Sequence, residues 1–304
     1  MNKKIIVIAG GTGFLGNVLV KHLSKDYELI ILTRGRTQRI DDVQHVHWDG
    51  RTIGEWSKEL EGADVLINLN GKSVDCRYTE KNKKLIYSTR LEATAVLGEA
   101  VQLAKNPPRL WINAASATIY RHSMDKEMDE FTGEIGTGFS VDVCLKWEEA
   151  VNRIKTPFTR KVLIRTGIVL GKKDGPLKPL RLLAQLGLGG KHGPGDQYFS
   201  WLHEDDFAHI ISFIMANAST SGAYNVTAPT PVSNQQVMKA LRSSLKIPIG
   251  LPMPEWLLKL GAVLIGTETE LILKSRRVIP LRLLQAGYKF KHESIEAAMN
   301  DLVR

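Results

Sequence analysis

The stretch Ile5-Ile6-Val7-Ile8-Ala9-Gly10-Gly11-Thr12-Gly13-Phe14-Leu15-Gly16 passes without a break from an apolar, largely β-branched run into a cluster of glycines. A continuous apolar run of this length is the pattern of a strand buried on both faces of a parallel sheet. Beyond it, Leu15, Val18, Leu19 and Leu23 recur at helical spacing, so the glycines form a turn between a strand and a helix. That context gives them tasks. Gly10 permits the tight turn, Gly13 lets backbone N–H groups approach a pyrophosphate with no Cβ in the way, and Gly16 lets the helix close on the sheet. The first N–H groups of the helix and the positive end of its dipole then face the phosphates. Asn17 follows Gly16 where a P-loop has Lys, which excludes that alternative.

A second strand, Glu28–Thr33, follows at the spacing of a βαβ unit and ends in Thr33-Arg34-Gly35-Arg36. Sites selective for NAD place an acid about twenty residues after the glycines, where it accepts from the ribose 2′-OH. Here no acid occurs before Asp41. Arg34 stands where a guanidinium would pair with a 2′-phosphate and stack on adenine, which favours NADP(H) over NAD(H). The alternation continues with strands at His45–Trp48, Ala63–Asn70, Leu110–Ala115 and Lys161–Leu170, and a long helix over Thr79–Ala104. The expected fold is α/β, a doubly wound parallel (Rossmann) sheet with a smaller, mainly helical C-terminal lobe. Residues 1–170 form the core and 171–304 the substrate-side segments and lobe, with 203–230 returning to the core. Ligand chemistry belongs outside the carboxyl ends of the strands, at Asn70-Gly71, Ser116-Ala117-Thr118 and Arg165-Thr166-Gly167.

Composition sets the limits. The 304 residues are 43% hydrophobic and 24% charged, which excludes a disordered chain, and no apolar run is long enough to span a membrane. Lys and Arg number 41 against 32 Asp and Glu, a net charge of +9. Ten of those cations and one acid, Asp174, lie between Arg153 and Lys191, and the rest of the chain balances. The two cysteines rule out a disulfide framework, and the scattered histidines give no metal set. Lys3-Lys4 before an apolar run imitates a signal peptide, but the glycines break it, so a cytoplasmic protein is expected.

With these strand ends in place, the chain resembles the extended short-chain dehydrogenase/reductase (epimerase/dehydratase) superfamily. More narrowly, it resembles its "epimerase family protein" group, which carries a C-terminal domain of unknown function. The motifs are GGTGFLG (10–16), NLNG (68–71), STRLEAT (88–94), SATIY (116–120), KWEEA (146–150), RTGIVLG (165–171), GDQYFSWLHEDD (195–206), NVTAPTPVS (225–233) and VIPLRLLQAGYKF (278–290). The resemblance implies NADP binding through Gly10, Thr12, Gly13, Phe14, Leu15 and Gly16, and through Thr33 and Arg34. It also implies contacts from Leu69, Asn70 and Gly71, from Arg90 and Ala115, and from Arg165, Thr166, Gly167 and Ile168.

Catalysis is where the chain departs. Superfamily members use a Ser/Thr with a Tyr-x-x-x-Lys pair on one helix, the ammonium lowering the tyrosine pKa. None of the seven tyrosines is followed four residues later by Lys, and alignment of KWEEA puts Ser140 and Cys144 at those two positions. Ser116 holds the place of the family serine, and Tyr120 follows as a possible proton donor. Together they are the catalytic candidates, with substrate or nicotinamide packing as the alternative. Cys144 reads as a small buried residue. Trp201 and His203 belong either to a pocket wall or to packing, and helices are expected at Glu204–Ala216, Ser233–Leu245, Glu255–Ile265, Leu281–Ala286 and Ser294–Leu302. The implied enzyme is an NADP(H)-dependent oxidoreductase or epimerase-like protein acting on a small carbonyl or hydroxyl substrate. The alternative is a non-catalytic NADP(H)-binding regulator. The chain lacks a nucleic-acid reader motif, so the expected partner is a small molecule, with a monomer or homodimer as the assembly. Lys172, Lys173, Lys178 and Arg181 either draw an anionic substrate or form a solvated face.

Overall fold

The computed structural model describes residues 3–266, 268 and 270–304. Among these residues twelve strands run in chain order as β1 (Ile5–Ala9), β2 (Glu28–Thr33), β3 (Gln38–Ile40), β4 (Val43–His47), β5 (Val65–Asn68), β6 (Leu110–Ser116), β7 (Arg160–Thr166), β8 (Ile168–Leu170), β9 (Tyr198–Phe199), β10 (Trp201–His203), β11 (Gly222–Val226) and β12 (Val232–Ser233). The helices are α1 (Phe14–Leu23), α2 (Glu80–Leu103), α3 (Phe139–Arg153), α4 (Leu177–Leu183), α5 (Glu204–Ala216), α6 (Asn234–Ser244), α7 (Glu255–Ile265), α8 (Glu270–Leu273), α9 (Leu281–Gln285) and α10 (Ile295–Val303). Eight strands form one sheet in the order β11-β7-β6-β5-β1-β2-β4-β3, parallel throughout except for β3.

Alternation along each apolar strand feeds two layers. Ile6, Ile8, Ile31, Ile67 and Ile112 face α1 and α5, where they pack with Leu19, Leu23, Phe207 and Ile211. Val7, Ala9, Leu32, Leu66 and Trp111 face the other way, onto Ala93, Val96, Leu97 and Val101 of α2. With both faces covered, the strands of this sheet read as continuous apolar runs and not as alternating ones. The order reverses at β1, between β2 on one side and β5 on the other, and this switch point opens a crevice at the carboxyl ends of the strands.

The chain departs from its expected elements in three places. Lys161–Leu170 is two strands and not one. A Cβ on Gly167 would lie 2.4 Å from the Ser200 carbonyl oxygen, and Ile168 N–H donates to that oxygen at 2.8 Å. The chain therefore leaves the main sheet at Gly167, and β8 pairs with β10. Second, β11 adds a strand beside β7 from a short, partly polar segment that opens at Gly222 with φ +73°. Third, β3 folds back antiparallel on β4. In the C-terminal lobe α6 and α10 pack with α4 around Trp201, Leu241 and Met299. Ser233 and Gln236 close α6 with a reciprocal capping box. Leu283, Tyr288 and Phe290 reach back into the main core.

Candidate functional site

The glycine turn shows which of its members serve the fold. Gly10 has φ +76° and lies so close to the end of β5 that a Cβ would be 2.9 Å from Asn70 Cα. A Cβ on Gly16 would be 2.2 Å from the Gly11 carbonyl oxygen. Gly13 is different: the nearest atom to its Cβ position is the Gly10 carbonyl oxygen at 3.9 Å. Nothing in the fold requires glycine there. Gly13 is the N-cap of α1 and has no side chain to bond the first helical N–H groups. A helix start left open beneath a position kept free of a Cβ is a cradle for an anion, the fit a dinucleotide pyrophosphate needs. Thr12 is exposed and Phe14 and Leu15 half-buried on the same turn.

At the end of β2, Thr33 Oγ1 accepts from Gly35 N–H (3.2 Å), and the His47 ring donates from Nδ1 to the Gly35 carbonyl (2.8 Å). Trp48 N–H bonds the Thr33 carbonyl at 2.9 Å. These contacts fix the loop, while Arg34 stays exposed and makes no ion pair among the described residues. The end of β5 is fixed as firmly. The buried Asn68 amide donates to Asn113 Oδ1 at 2.7 Å, and Asn68 Oδ1 accepts from Asn70 N–H at 3.0 Å. Asn70 in turn donates to the Thr89 carbonyl on α2 (2.7 Å). Leu69, Asn70 and Gly71 are thereby held next to Gly10. Arg90 lies beneath Gly71, whose Cβ would sit 3.1 Å from Arg90 Cζ. Its guanidinium stacks over Trp147 at 4.9 Å and donates to the Lys72 and Ile86 carbonyls at 3.0 Å.

The floor beyond β6 is built by α3. Ser140 and Cys144, one turn apart, share a face directed at the end of β6, where Ser116 is half-buried. Ser116 Oγ accepts from Thr118 N–H (3.2 Å) and donates to Thr118 Oγ1 (3.0 Å). Burial pushes the Cys144 thiol up to about 12, partly offset by the Arg90 and Arg276 cations. It is therefore a neutral thiol and no base. Three residues that the sequence did not single out complete the floor. Tyr78, before α2, sets its hydroxyl 3.4 Å from Ser140 Oγ, and burial raises its pKa. Glu270 accepts from Ser140 Oγ at 3.1 Å, and Arg276 lies 3.5 Å from Glu270. No local pattern could have marked them, because they come from two distant segments, before α2 and around α8, that only the fold brings to α3.

Tyr120 does not belong to this group, which corrects the expectation that it donates a proton from the loop. It is 0% exposed. Its hydroxyl donates to Asn225 Oδ1 (2.9 Å) and accepts from Arg165 Nη1 (2.8 Å). The Arg165 side chain is likewise committed, to Glu148, so Arg165, Thr166, Gly167 and Ile168 can meet a ligand only around this strand break through main chain and the remaining side chains. Ala115 is buried at the end of β6. Trp201 is fully buried, with its indole N–H on the Thr230 carbonyl, and so serves packing. His203 caps α5 by accepting from Asp205 N–H at Nδ1 (3.0 Å). His203, His292 and Asp301 place three potential metal-ligand atoms within 4.8 Å of one another. With Nδ1 an acceptor, however, the proton of the neutral His203 ring sits on Nε2, and that nitrogen has no lone pair for a metal.

The basic stretch resolves into parts. Arg160 and Lys161 donate to main-chain carbonyls of Thr220, Val151 and Ile154, and Arg165 pairs with Glu148. Lys172, Lys173 and Lys178 are exposed. They flank Gly171 and Gly175, both packed against the Phe14 ring of the glycine turn, where Cβ atoms would lie 2.4 and 2.7 Å away. The free cations therefore rim the mouth of the crevice.

A doubly wound parallel sheet with an open glycine turn at its switch point, and a serine at the end of the strand facing a helix beyond, defines a dinucleotide-binding protein of the short-chain reductase type. The chain belongs to the NAD dependent epimerase/dehydratase family, whose model matches residues 6–227, and residues 253–302 match a domain of unknown function, DUF1731. Epimerase family protein YfhF of Bacillus subtilis is 34% identical over 303 residues, spanning 98% of this chain and 97% of that one. Epimerase family protein SDR39U1 of mouse is 30% identical over 306 residues, covering 98% and 99%. The crystal structure of human epimerase family protein SDR39U1 with NADPH superposes with a TM-score of 0.88 at 28% identity, over 98% of each chain. Among the described residues no helix is long and apolar enough to cross a membrane.

Proposed function

We propose that this protein binds NADP(H) and acts as an oxidoreductase or epimerase-like enzyme on a small carbonyl or hydroxyl substrate. The observation that carries the reading is Gly13, whose Cβ position has no atom nearer than 3.9 Å above an uncapped helix start. Gly10 to Gly16 would hold the pyrophosphate, and Arg34 with Thr33 the 2′-phosphate. Leu69 to Gly71, Arg90, Ala115 and the Arg165–Ile168 strand break would line the path toward the nicotinamide. The NADPH bound by the human relative supports the same cofactor here. When bound, the nicotinamide supplies a hydride donor or acceptor. Ser116 can then hold a substrate oxygen by its hydroxyl, and the neutral Tyr78 phenol beside Ser140 is a proton-bearing group on the same floor.

A second reading, a non-catalytic NADP(H)-binding regulator, is favoured by one observation. The two positions of the acid–base pair hold Ser140 and a thiol that stays protonated. Binding of NADPH and NADH is measured by fluorescence, and the NADPH-loaded protein is then exposed to fractionated metabolite pools. Oxidation of NADPH by a fraction supports the enzyme. Saturable binding with no oxidation leaves the regulator, and tighter NADH than NADPH binding sinks the cofactor assignment.

A further inference from the structure

Buried charges in folded proteins are paired, because the penalty for taking an unpaired ion out of water is several kcal/mol. The floor beside Cys144 breaks this rule in one direction. Arg90 is surrounded by protein and has carbonyl oxygens and the Trp147 ring as partners, but no carboxylate among the described residues. Arg276 is 9% exposed, and among the described residues its Nε has no hydrogen-bond partner and its one acidic neighbour is Glu270 at 3.5 Å. Glu270 is already taken, by Lys274 at 2.9 Å and by Ser140 at 3.1 Å. Glu148, the other acid near Cys144, is held bidentately by Arg165. Glu268, the acid beside Tyr78, accepts from Tyr78 N–H at 3.0 Å and pairs with Arg77 at 3.4 Å, so around a neutral thiol and a neutral phenol the three cations Arg90, Lys274 and Arg276 have the Glu270 carboxylate to share.

The main chain of Arg276 is fixed. Its N–H donates to the Tyr198 carbonyl (3.2 Å), and its carbonyl accepts from Ser200 Oγ (2.5 Å). The backbone is therefore fixed independently of any anion, and the guanidinium, with Glu270 at 3.5 Å and Nε without a partner, keeps part of its fork unused. The cofactor phosphates do not account for it. On the proposed reading they belong to the glycine turn after β1 and to Arg34 at the end of β2, while Arg276 lies beside Glu270 and near Cys144 of α3, the helix that follows β6 in the chain. At ~4.8 Å per strand the offset from β1 to β6 alone is roughly 10 Å.

We propose that Arg276, with Arg90 across from it, is the anchor for an anionic group on the substrate, a carboxylate or phosphoryl oxygen pair carried next to the reacting carbon. This rests on the reading that the floor formed by Ser116, Ser140 and Cys144 is the place of hydride transfer. A forked guanidinium binds either anion through two parallel N–H···O bonds. Glu270 is the internal competitor that occupies Arg276 loosely until the substrate arrives.

The test uses the full-length protein saturated with NADPH and titrated with oxalate and with inorganic phosphate, binding being followed by nicotinamide fluorescence and by the thermal midpoint. Arg276→Gln is expected to weaken anion binding tenfold or more, while NADPH affinity and the response of Lys172→Gln, at the exposed mouth, stay at wild-type level. Glu270→Gln removes the competitor and is expected to tighten anion binding several-fold, which keeps the test decisive if Arg276→Gln folds poorly. Preference for oxalate identifies a carboxylate substrate and preference for phosphate a phosphorylated one, and either supports the site. Equal anion binding by wild type and Arg276→Gln, no saturable binding of either anion, or unchanged or weaker binding in Glu270→Gln overturns it. Failure to bind NADPH overturns the cofactor reading instead, and the thermal shift with each anion is then read on the cofactor-free protein.

Discussion

Arg165 on β7 and Glu148 on α3 form a bidentate ion pair, both N···O distances 2.8 Å, with side chains 13% and 11% exposed. The Tyr120 hydroxyl closes the group through Arg165 Nη1 and Asn225. This network joins the helix that carries Ser140 and Cys144 to the strand that turns out of the sheet at Gly167. Removing one partner of such a pair leaves an uncompensated buried charge, so Glu148→Ala is expected to lose about 3 kcal/mol of stability in urea unfolding. Tyr120→Phe removes one neutral hydrogen bond and one from a cation and should lose about 1–2 kcal/mol. Neither should shift NADPH affinity by more than twofold. A turnover loss in Tyr120→Phe greater than its stability loss would return Tyr120 to the reaction.

The glycines separate by role in a way that one experiment resolves. Gly16→Ala drives a Cβ into the Gly11 carbonyl and is expected to unfold or strongly destabilise the protein. Gly13→Ala places its Cβ no nearer than 3.9 Å to a protein atom and should keep the wild-type thermal midpoint within a few degrees. Its cost falls on the cofactor, with NADPH affinity expected to drop at least a hundredfold in fluorescence titration.

Arg34 is free, and a hydrogen bond to a charged group contributes about 1.5–3 kcal/mol, so Arg34→Ala should weaken NADPH binding by tenfold or more. NADH binding should change little. Equal losses for both cofactors would show that Arg34 contacts the adenine and not the 2′-phosphate.

His203 gives a pH dependence. Burial and the stacked His292 ring, 3.7 Å away, push its pKa down to about 4. In the unfolded chain the ring takes a proton near its ordinary value, so below about pH 6.5 the unfolded state binds more protons and stability falls as pH falls. The contribution is fully present above pH 6.5 and lost progressively toward pH 4, about 2 kcal/mol being gone at pH 5. His203→Asn, which can still accept from Asp205 N–H, should be less stable at pH 7 and flatter between pH 7 and pH 5. An unchanged slope in urea melts over that range would refute the assignment.

The thiols provide a check on the site floor. Cys144 is buried with its thiol near 12, while Cys76 is partly exposed. Native protein at pH 8 should react with one equivalent of a thiol reagent, at Cys76, with Cys144 reacting only on unfolding. Rapid labelling of Cys144 would restore it as a candidate base.

The local elements were legible because their signals are local. β1 and β2 fall where the apolar runs begin and end, and α2 is bounded by the Thr79 cap that its sequence announces. β11 was not legible: its five residues GAYNV hold too little apolar alternation, and their strand character comes from pairing with β7. The break at Gly167 was hidden for a related reason, since the obstacle to a straight strand is the Ser200 carbonyl of a distant segment. Tyr120 looked available because it stands four residues from Ser116, yet distance along the chain says nothing of the burial that its neighbours impose.

What the sequence by itself determined is the strand–turn–helix at its start, the parallel alternation, the arginine after β2 with no acid beside it, and the lack of a Tyr-x-x-x-Lys pair. Each is a property of neighbouring residues, where spacing and side-chain chemistry act directly. The tertiary structure alone decided that Tyr78, Ser140, Glu270 and Arg276 converge, that Tyr120 and Arg165 are spent on the core, and that Arg276 and Lys274 share one carboxylate, Glu270. Those are facts of long-range packing and desolvation, set by which distant segments the sheet order brings face to face.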